Sequence, residues 1–290
     1  MPSTRDIRRR IKSVKNTAQI TKAMQMVAAS KMRKAQQAAL AGRPYAQLMN
    51  KVLAALAAET GEAHHPFLEK REGARRCVIL ISTDKGLCGG LNSNLMREAG
   101  KFEAAAIFIA AGRKGSQFLA RTKRQMVAEF TFKDAPLFAE ARAISKFAGD
   151  LFLKGEVDRV DIVFTRFIST LVQKPEVRQL LPISEVVAVK AGMGEDRAGS
   201  LPELPGEFLF EPSQEKVLGA LLPHSLNFQI YQILLEAKAS EHSARMVAMK
   251  NATDNANQFI KDLTLEYNKL RQANITKELL EIASAAMAMA

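Results

Sequence analysis

The chain has 290 residues, 47% of them hydrophobic, enough to bury one large core or two modest ones, and a net charge of +12. Its two cysteines, Cys77 and Cys88, lack the Cys-x-x-Cys spacing of a zinc cluster and are too few for a disulfide scaffold, which points to a reducing compartment. No run approaches the roughly 20 apolar residues of a membrane span, and the first residues lack the apolar core of a secretion signal, so the mature chain is expected to begin at Met1.

Residues 3–41 contain no glycine or proline and are rich in Ala, Lys, Arg, Gln and Met, which predicts one long helix. Ser3 with Asp6 has the spacing of a capping box, and Gly42 with Pro44 is expected to interrupt or bend the helix. Ile7, Ile11, Val14, Ala18, Thr21, Gln25, Ala28, Met32, Ala35 and Ala39 follow alternating steps of four and three, a heptad seam that requires a partner helix. Within the first 60 residues twelve Lys and Arg face only Asp6 and Glu59. Arg8, Arg9, Arg10, Lys12 and Lys15 crowd the first turns, where the helix dipole disfavours positive charge, so something acidic outside should compensate. A nucleic-acid backbone, an acidic protein surface and plain solvation all fit that charge, although Tyr45, the one aromatic here, offers no base-stacking platform. His64 and His65 adjoin Pro66 in an expected loop, without the further ligands a metal needs.

The pattern then changes period. Segments 77–82, 104–110, 126–132 and 160–167 read as strands, and 91–101, 113–122 and 136–153 as the helices between them, which predicts a small Rossmann-like α/β domain with a largely parallel sheet. The stretch STDKGLCGGLN, residues 82–92, sits at the carboxyl end of the first strand, where such sheets bind ligands. It matches neither Gly-x-Gly-x-x-Gly nor a Walker loop, so a strand-to-helix turn without ligand is expected, with phosphate binding as the rival. Cys88 has no His or Asn companion to make it a nucleophile and reads as a small structural residue. Residues 191–207, rich in Gly and Pro, predict a mobile loop.

Residues 224–290 again contain no glycine or proline, a helical stretch on the order of 100 Å at 1.5 Å per residue. Pro212 suits the first turn of a helix, and Pro223 is expected to kink or divide one. Apolar positions recur at Leu226, Ile230, Ile233 and Leu234, and again at Leu263, Tyr267, Leu270, Leu279 and Ile282. Residues 239–258 are poor helix formers, so neighbours must hold them helical, the alanine-rich N-terminal helix being the natural one. His224 and His242 are expected at the surface, and Glu278 with Glu281 on a solvated face. The expected architecture is therefore an antiparallel coiled coil of residues 1–60 and 209–290 with an α/β domain, 75–208, inserted between. No catalytic constellation, cofactor site or metal site emerges.

Three long segments carry a resemblance: IKSVKNTAQITKAMQMVAASKMRKAQ (11–36), STDKGLCGGLN (82–92), and SARMVAMKNATDNA with LEYNKLRQANITKELLEI (243–282). They resemble the gamma subunit of F-type ATP synthase, over essentially the whole chain. The resemblance implies a non-catalytic central stalk turning inside a ring of alpha and beta subunits, one copy per complex, with the epsilon subunit and the membrane c-ring as further partners. It implies coupling contacts at Met24, near Arg245, Gln272, Thr276 and Glu278. It implies that Lys85 and Cys88, together with Arg8, Arg9 and Lys12, face an acidic region of a catalytic beta subunit, and that residues 282–290 form a tip turning in the ring's collar. Arg245 is expected as an exposed charge, contributing to coupling more than to assembly. The cysteine pair inserted in chloroplast members is missing, so redox control is not expected. The absence of a transit segment favours a bacterial chain, peripheral to the cytoplasmic face of the inner membrane. A basic coiled-coil nucleic-acid binder and an α/β enzyme holding a phosphate at residues 86–90 are the alternatives.

Overall fold

The computed structural model describes residues 3–59, 65–71, 73–183, 211 and 213–289. His64, Pro212 and the loop expected at 191–207 lie outside the described residues. In chain order the elements are α1 (Thr4–Ala41), α2 (Arg43–Glu59), β1 (Arg76–Ile81), α3 (Leu91–Ala99), β2 (Ile107–Ala111), α4 (Arg113–Arg121), β3 (Met126–Phe130), α5 (Phe138–Leu153), β4 (Arg159–Phe167), β5 (Gln173–Leu181) and α6 (Gln214–Met289). They form two compact units, Met1–Val27 with Met246–Ala290, and Ala28–Arg245.

The first unit is a pair of helices. Ser3 and Asp6 form the expected capping box, the Asp6 amide donating to Ser3 Oγ at 3.2 Å and the Ser3 hydroxyl to Asp6 Oδ2 at 2.7 Å, which holds the Asp6 carboxyl below its ordinary range. Ile7, Ala18 and Thr21 of α1 are buried, as are Thr253 and Leu263 of α6, while the basic positions between them point to solvent. The Thr21 and Thr253 hydroxyls meet at 2.7 Å, and Arg8 lies over the Tyr267 ring at 5.4 Å. Thirteen residues backward along α1 are thus matched by fourteen forward along α6, the signature of an antiparallel pair. Arg8 lies four residues from the start of α1, so α6 runs past the end of its partner near residue 271. Every side chain described from 271 to 287 is exposed, including Leu279 and Ile282, which the apolar pattern alone would have buried.

The second unit is built on a five-stranded sheet in the order β3-β2-β1-β4-β5. β1 pairs in parallel with β2 and β4, β2 in parallel with β3, and β5 runs antiparallel to β4. Central β1 is buried on both faces, hence its unbroken apolar run. Side chains alternate across the sheet. Val78, Leu80, Phe108 and Ala110 pack with Leu95 and Ala99 of α3 and Leu119 of α4. Cys77, Ile79, Ile81, Ile109, Ile162 and Phe164 face a larger core made with α2, α5 and the first part of α6.

Two features depart from the sequence reading, and a third adds to it. β5 was not expected: Lys174, Glu176 and Arg178 leave it without an apolar run and Pro175 lacks a ladder donor, but an edge strand tolerates both because one side of its ladder is free. Pro223 neither divides nor ends α6, which is unbroken from Gln214 to Met289; burial of Leu218, Leu222, Leu226 and Ile230 around it outweighs one missing hydrogen bond. The sheet-bearing unit also takes in residues 28–59 and 213–245: Ala46, Met49, Leu53 and Leu56 of α2 and Leu226 to Leu234 of α6 complete the sheet's core, while Ala35 and Ala39 of α1 still meet Leu235 and Ala239 of α6, continuing the helix pairing.

Candidate functional site

Order reverses in this sheet between β1 and β4, and at such a point a doubly wound domain opens a ligand crevice beyond the strands' carboxyl ends. Here α6 lies across it. Ser240 Oγ donates to the Thr165 carbonyl at 2.9 Å, Ser243 Oγ donates to the Thr170 carbonyl at 2.8 Å, and Glu236 accepts the Phe167 amide at 3.1 Å. These small hydroxyl residues, unfavourable in an isolated helix, are held helical by the hairpin they bind. Among Ser82, Thr83, Phe132, Thr165, Lys238 and Glu241 a cavity of about 10 Å³ remains, room for about one water.

The 82–90 turn is fastened from within. The first amides of α4 have partners: Arg113 N–H donates to Asp84 Oδ1 at 3.0 Å, Lys114 N–H to the Thr83 carbonyl at 3.0 Å, and Gly115 N–H to Ser82 Oγ at 2.7 Å. Asn92 Nδ2 donates to Thr83 Oγ at 2.7 Å and to Cys88 Sγ at 3.4 Å, while Thr83 Oγ donates to the Lys85 carbonyl at 2.8 Å. The start of α4 is thus capped by oxygens of the turn, whereas α3, the helix the turn leads into, begins at Gly90 with no side-chain cap; what closes the crevice is α6, leaving room for about one water. Leu87 has φ 62° and is 61% exposed, so a bulky residue is held in a costly backbone conformation with its side chain in solvent.

Behind the turn runs a chain of charges. Lys31 Nζ pairs with Asp134 Oδ2, and Lys238 Nζ is 3.7 Å from Asp134 Oδ1 and 3.1 Å from Glu241 Oε2. Arg245 Nη2 then donates to Glu241 Oε1 at 2.8 Å, to the Lys85 carbonyl at 3.3 Å and to the Gly86 carbonyl at 3.2 Å. Burial lowers the His242 imidazole beside them to about 4, leaving it neutral. Burial likewise pushes the Cys88 thiol above its ordinary range, against the pull of Arg245.

Several expected site residues are placed differently from the sequence reading. Cys88 is 3% exposed and faces inward, so its side chain has no surface to offer a partner; Lys85 and Leu87 do. Arg245 is not an exposed charge, its side chain being 11% exposed between Glu241 and the turn. His242 is buried, and His224, half-buried, lies 2.6 Å from the Tyr45 hydroxyl rather than free in solvent. Met24 is half-buried on α1, whereas Gln272, Thr276 and Glu278 are exposed on α6. The helix-pair register sets Met24 opposite about residue 250, on the order of 30 Å along the helix from Gln272, so the structure does not bring these together. Arg8, Arg9 and Lys12 lie on the solvent side of α1, Arg8 also donating to the Tyr267 hydroxyl. Sequence reasoning missed Asp134, Lys238, Glu241 and Leu87. Charges three and four apart on a helix read as a solvated face, and only tertiary packing reveals that they are buried.

An antiparallel pair of terminal helices and, in the other unit, a doubly wound domain whose crevice its own helix fills define a class, the coiled-coil protein with an inserted α/β domain. The chain matches the family model described as ATP synthase over residues 3–289. It is 54% identical over 293 residues to the ATP synthase gamma chain of Opitutus terrae and 48% identical over 296 residues to that of Methylacidiphilum infernorum, covering 100% of both chains in each case. Among solved structures it is similar to a chain of the central stalk and c-ring of the Tetrahymena thermophila mitochondrial ATP synthase, with 26% identity and a TM-score of 0.61, over 80% of this chain and 99% of that one. The chain belongs to the ATP synthase gamma-chain family, as the resemblance of its three long segments implied. Among the described residues no helix is long and apolar enough to cross a membrane.

Proposed function

We propose that this chain is the rotating shaft of an ATP synthase, carrying torque between the membrane c-ring and a catalytic ring of alpha and beta subunits, with no catalytic site of its own. One observation carries the reading beyond family membership. From residue 271 to 287 α6 leaves Ile275, Leu279, Leu280, Ile282 and Met287 in solvent, an apolar helix surface that a surrounding protein ring would cover. An asymmetric shaft in a ring of repeated subunits offers each catalytic interface a different face, so turning it biases each interface toward a different conformation and nucleotide affinity.

In this reading residues 1–60 and 209–290 act as the shaft and 75–208 as the inserted domain. Met24, Arg245, Gln272, Thr276 and Glu278 serve coupling at separate levels rather than as one cluster. Lys85, with Leu87 in the place expected for Cys88, and the basic face of Arg8, Arg9 and Lys12 meet acidic surface on the beta subunits. The epsilon subunit is a further partner, and the complex is bound to the cytoplasmic face of a bacterial inner membrane. The test is reconstitution: purified chain mixed with alpha and beta subunits should assemble and confer cooperative ATP hydrolysis that depends on its presence. Hydrolysis indifferent to the chain would refute the assignment.

A further inference from the structure

The Lys238–Glu241–Arg245 chain of charges answers to no ligand and no solvent. The side chains of Lys238 and Glu241 are 2% and 5% exposed, and such groups remain charged in a protein interior only when fully partnered. Lys31, Lys238 and Arg245 are three cations facing two carboxylates, Asp134 and Glu241, with His242 neutral. The surplus positive charge lies at Arg245, where Nη2 donates to the Lys85 and Gly86 carbonyl oxygens, Nε also reaches the Gly86 carbonyl at 3.4 Å, and Nη1 faces His242 Nδ1 at 3.4 Å. Those are the two residues before Leu87, so the backbone that holds Leu87 at φ 62° is also the backbone that completes the ion network. Glu241 accepts from the same Nη2 that donates to the turn and from Lys238 on its other oxygen, an arrangement that fixes the guanidinium in one orientation.

From this geometry we infer that Glu241, braced by Lys238, is a positioning residue: it aims the Arg245 guanidinium at the Lys85 and Gly86 carbonyls and thereby sets the conformation in which the turn presents Lys85 and Leu87. The inference rests on the proposed function only for why that presentation matters. With the carboxylate fixed, the turn and the middle of α6 form one electrostatically closed body, so a force applied at Leu87 reaches the helix without first being absorbed by the turn. Without it, Arg245 has no fixed direction and the turn loses its brace.

The test is hydrogen–deuterium exchange, in the full-length chain, of the amides that the turn protects: Leu91, which donates to the Cys88 carbonyl, and Arg113 and Lys114, which donate to Asp84 and to the Thr83 carbonyl. Glu241→Gln keeps the shape and removes the charge; it should speed exchange at these amides about tenfold, as loss of a charge-assisted hydrogen bond would. Arg245→Ala should do the same, and the double variant should exchange no faster than Arg245→Ala alone, because Glu241 acts through Arg245. Unchanged exchange at these amides in Glu241→Gln, or multiplying effects in the double variant, overturns the inference. Should Glu241→Gln fail to fold, Arg245→Lys keeps a cation beside Glu241 but lacks the fork. It should loosen the turn while leaving β1 exchange unchanged, and an unaffected turn would overturn the inference equally. Since exchange is read on the chain alone, its outcome judges the positioning, whereas the shaft assignment stands or falls on reconstitution.

Discussion

Gly112, at the junction of β2 and α4, has φ 104°, and a methyl group built on it would lie 2.3 Å from the Ser82 carbonyl oxygen. Both the backbone angle and the clash are with rigid main chain, so Gly112→Ala should lower unfolding free energy by at least about 2 kcal/mol, checked by urea denaturation. Glu236 makes a different kind of prediction. Burial beneath the β4–β5 hairpin pushes its carboxyl up to about 7, with Arg178, Glu176 and Arg166 the charged neighbours, and it accepts the Phe167 amide. The folded protein therefore keeps a proton there that the unfolded chain releases near pH 4.5, and stability must fall as pH rises from about 4.5 through 7. Glu236→Gln keeps the acceptor and removes the titration. Between pH 5 and pH 8 the wild type should lose on the order of 2 kcal/mol more stability than the variant, and parallel curves would show that the carboxyl is not held protonated.

At the scale of the element, heptad spacing alone located the seam of α1: Ile7 through Ala39 are all buried or half-buried at the positions it named. Four of the five strands were also legible: β1, β2 and β4 are buried inside the sheet and largely apolar, and β3, an exposed edge strand, still carries the β-forming Val127 and Phe130. β5 was illegible because its first six residues, Gln173 to Arg178, hold three charges and a proline with Val177 as the one strand-forming residue, and the apolar Leu180 and Leu181 come only at its end. In α6 the local rule at Pro223 lost to the packing around it. That packing makes the proline a cost the helix carries, and Pro223→Ala, restoring an N–H donor, should raise stability by about 1–3 kcal/mol in chemical denaturation. A fall instead would mean the helix there needs the proline's fixed φ.

For the whole molecule, the net charge of +12 is concentrated near the N-terminus, whereas residues 209–290 carry eight basic against nine acidic groups. A shaft that meets acidic partners through that basic face should assemble with them more weakly as salt is added. Removing Arg8, Arg9 and Lys12 together to Ala should flatten that salt dependence and slow association more than it speeds dissociation, measured by surface capture of the alpha and beta assembly at 50 and 300 mM salt. A slope identical to wild type would place the contact elsewhere. The variant should fold, since these side chains lie in solvent, with Arg8 donating to the Tyr267 hydroxyl and Arg9 near enough to Asp6 to favour its charged form.

The sequence by itself determined the two terminal helices, their pairing seam, the parallel core of the sheet and the family, because those depend on periodicity and on long ordered segments that survive without knowledge of neighbours. Only the tertiary structure decided that the crevice is closed, that Cys88 faces inward, and that Lys238, Glu241 and Arg245 are buried as one network. Burial of a polar group is a property of what lies opposite it, and residues 82–90 and 236–245, more than 140 positions apart in the chain, acquire that relation only when α6 crosses the sheet.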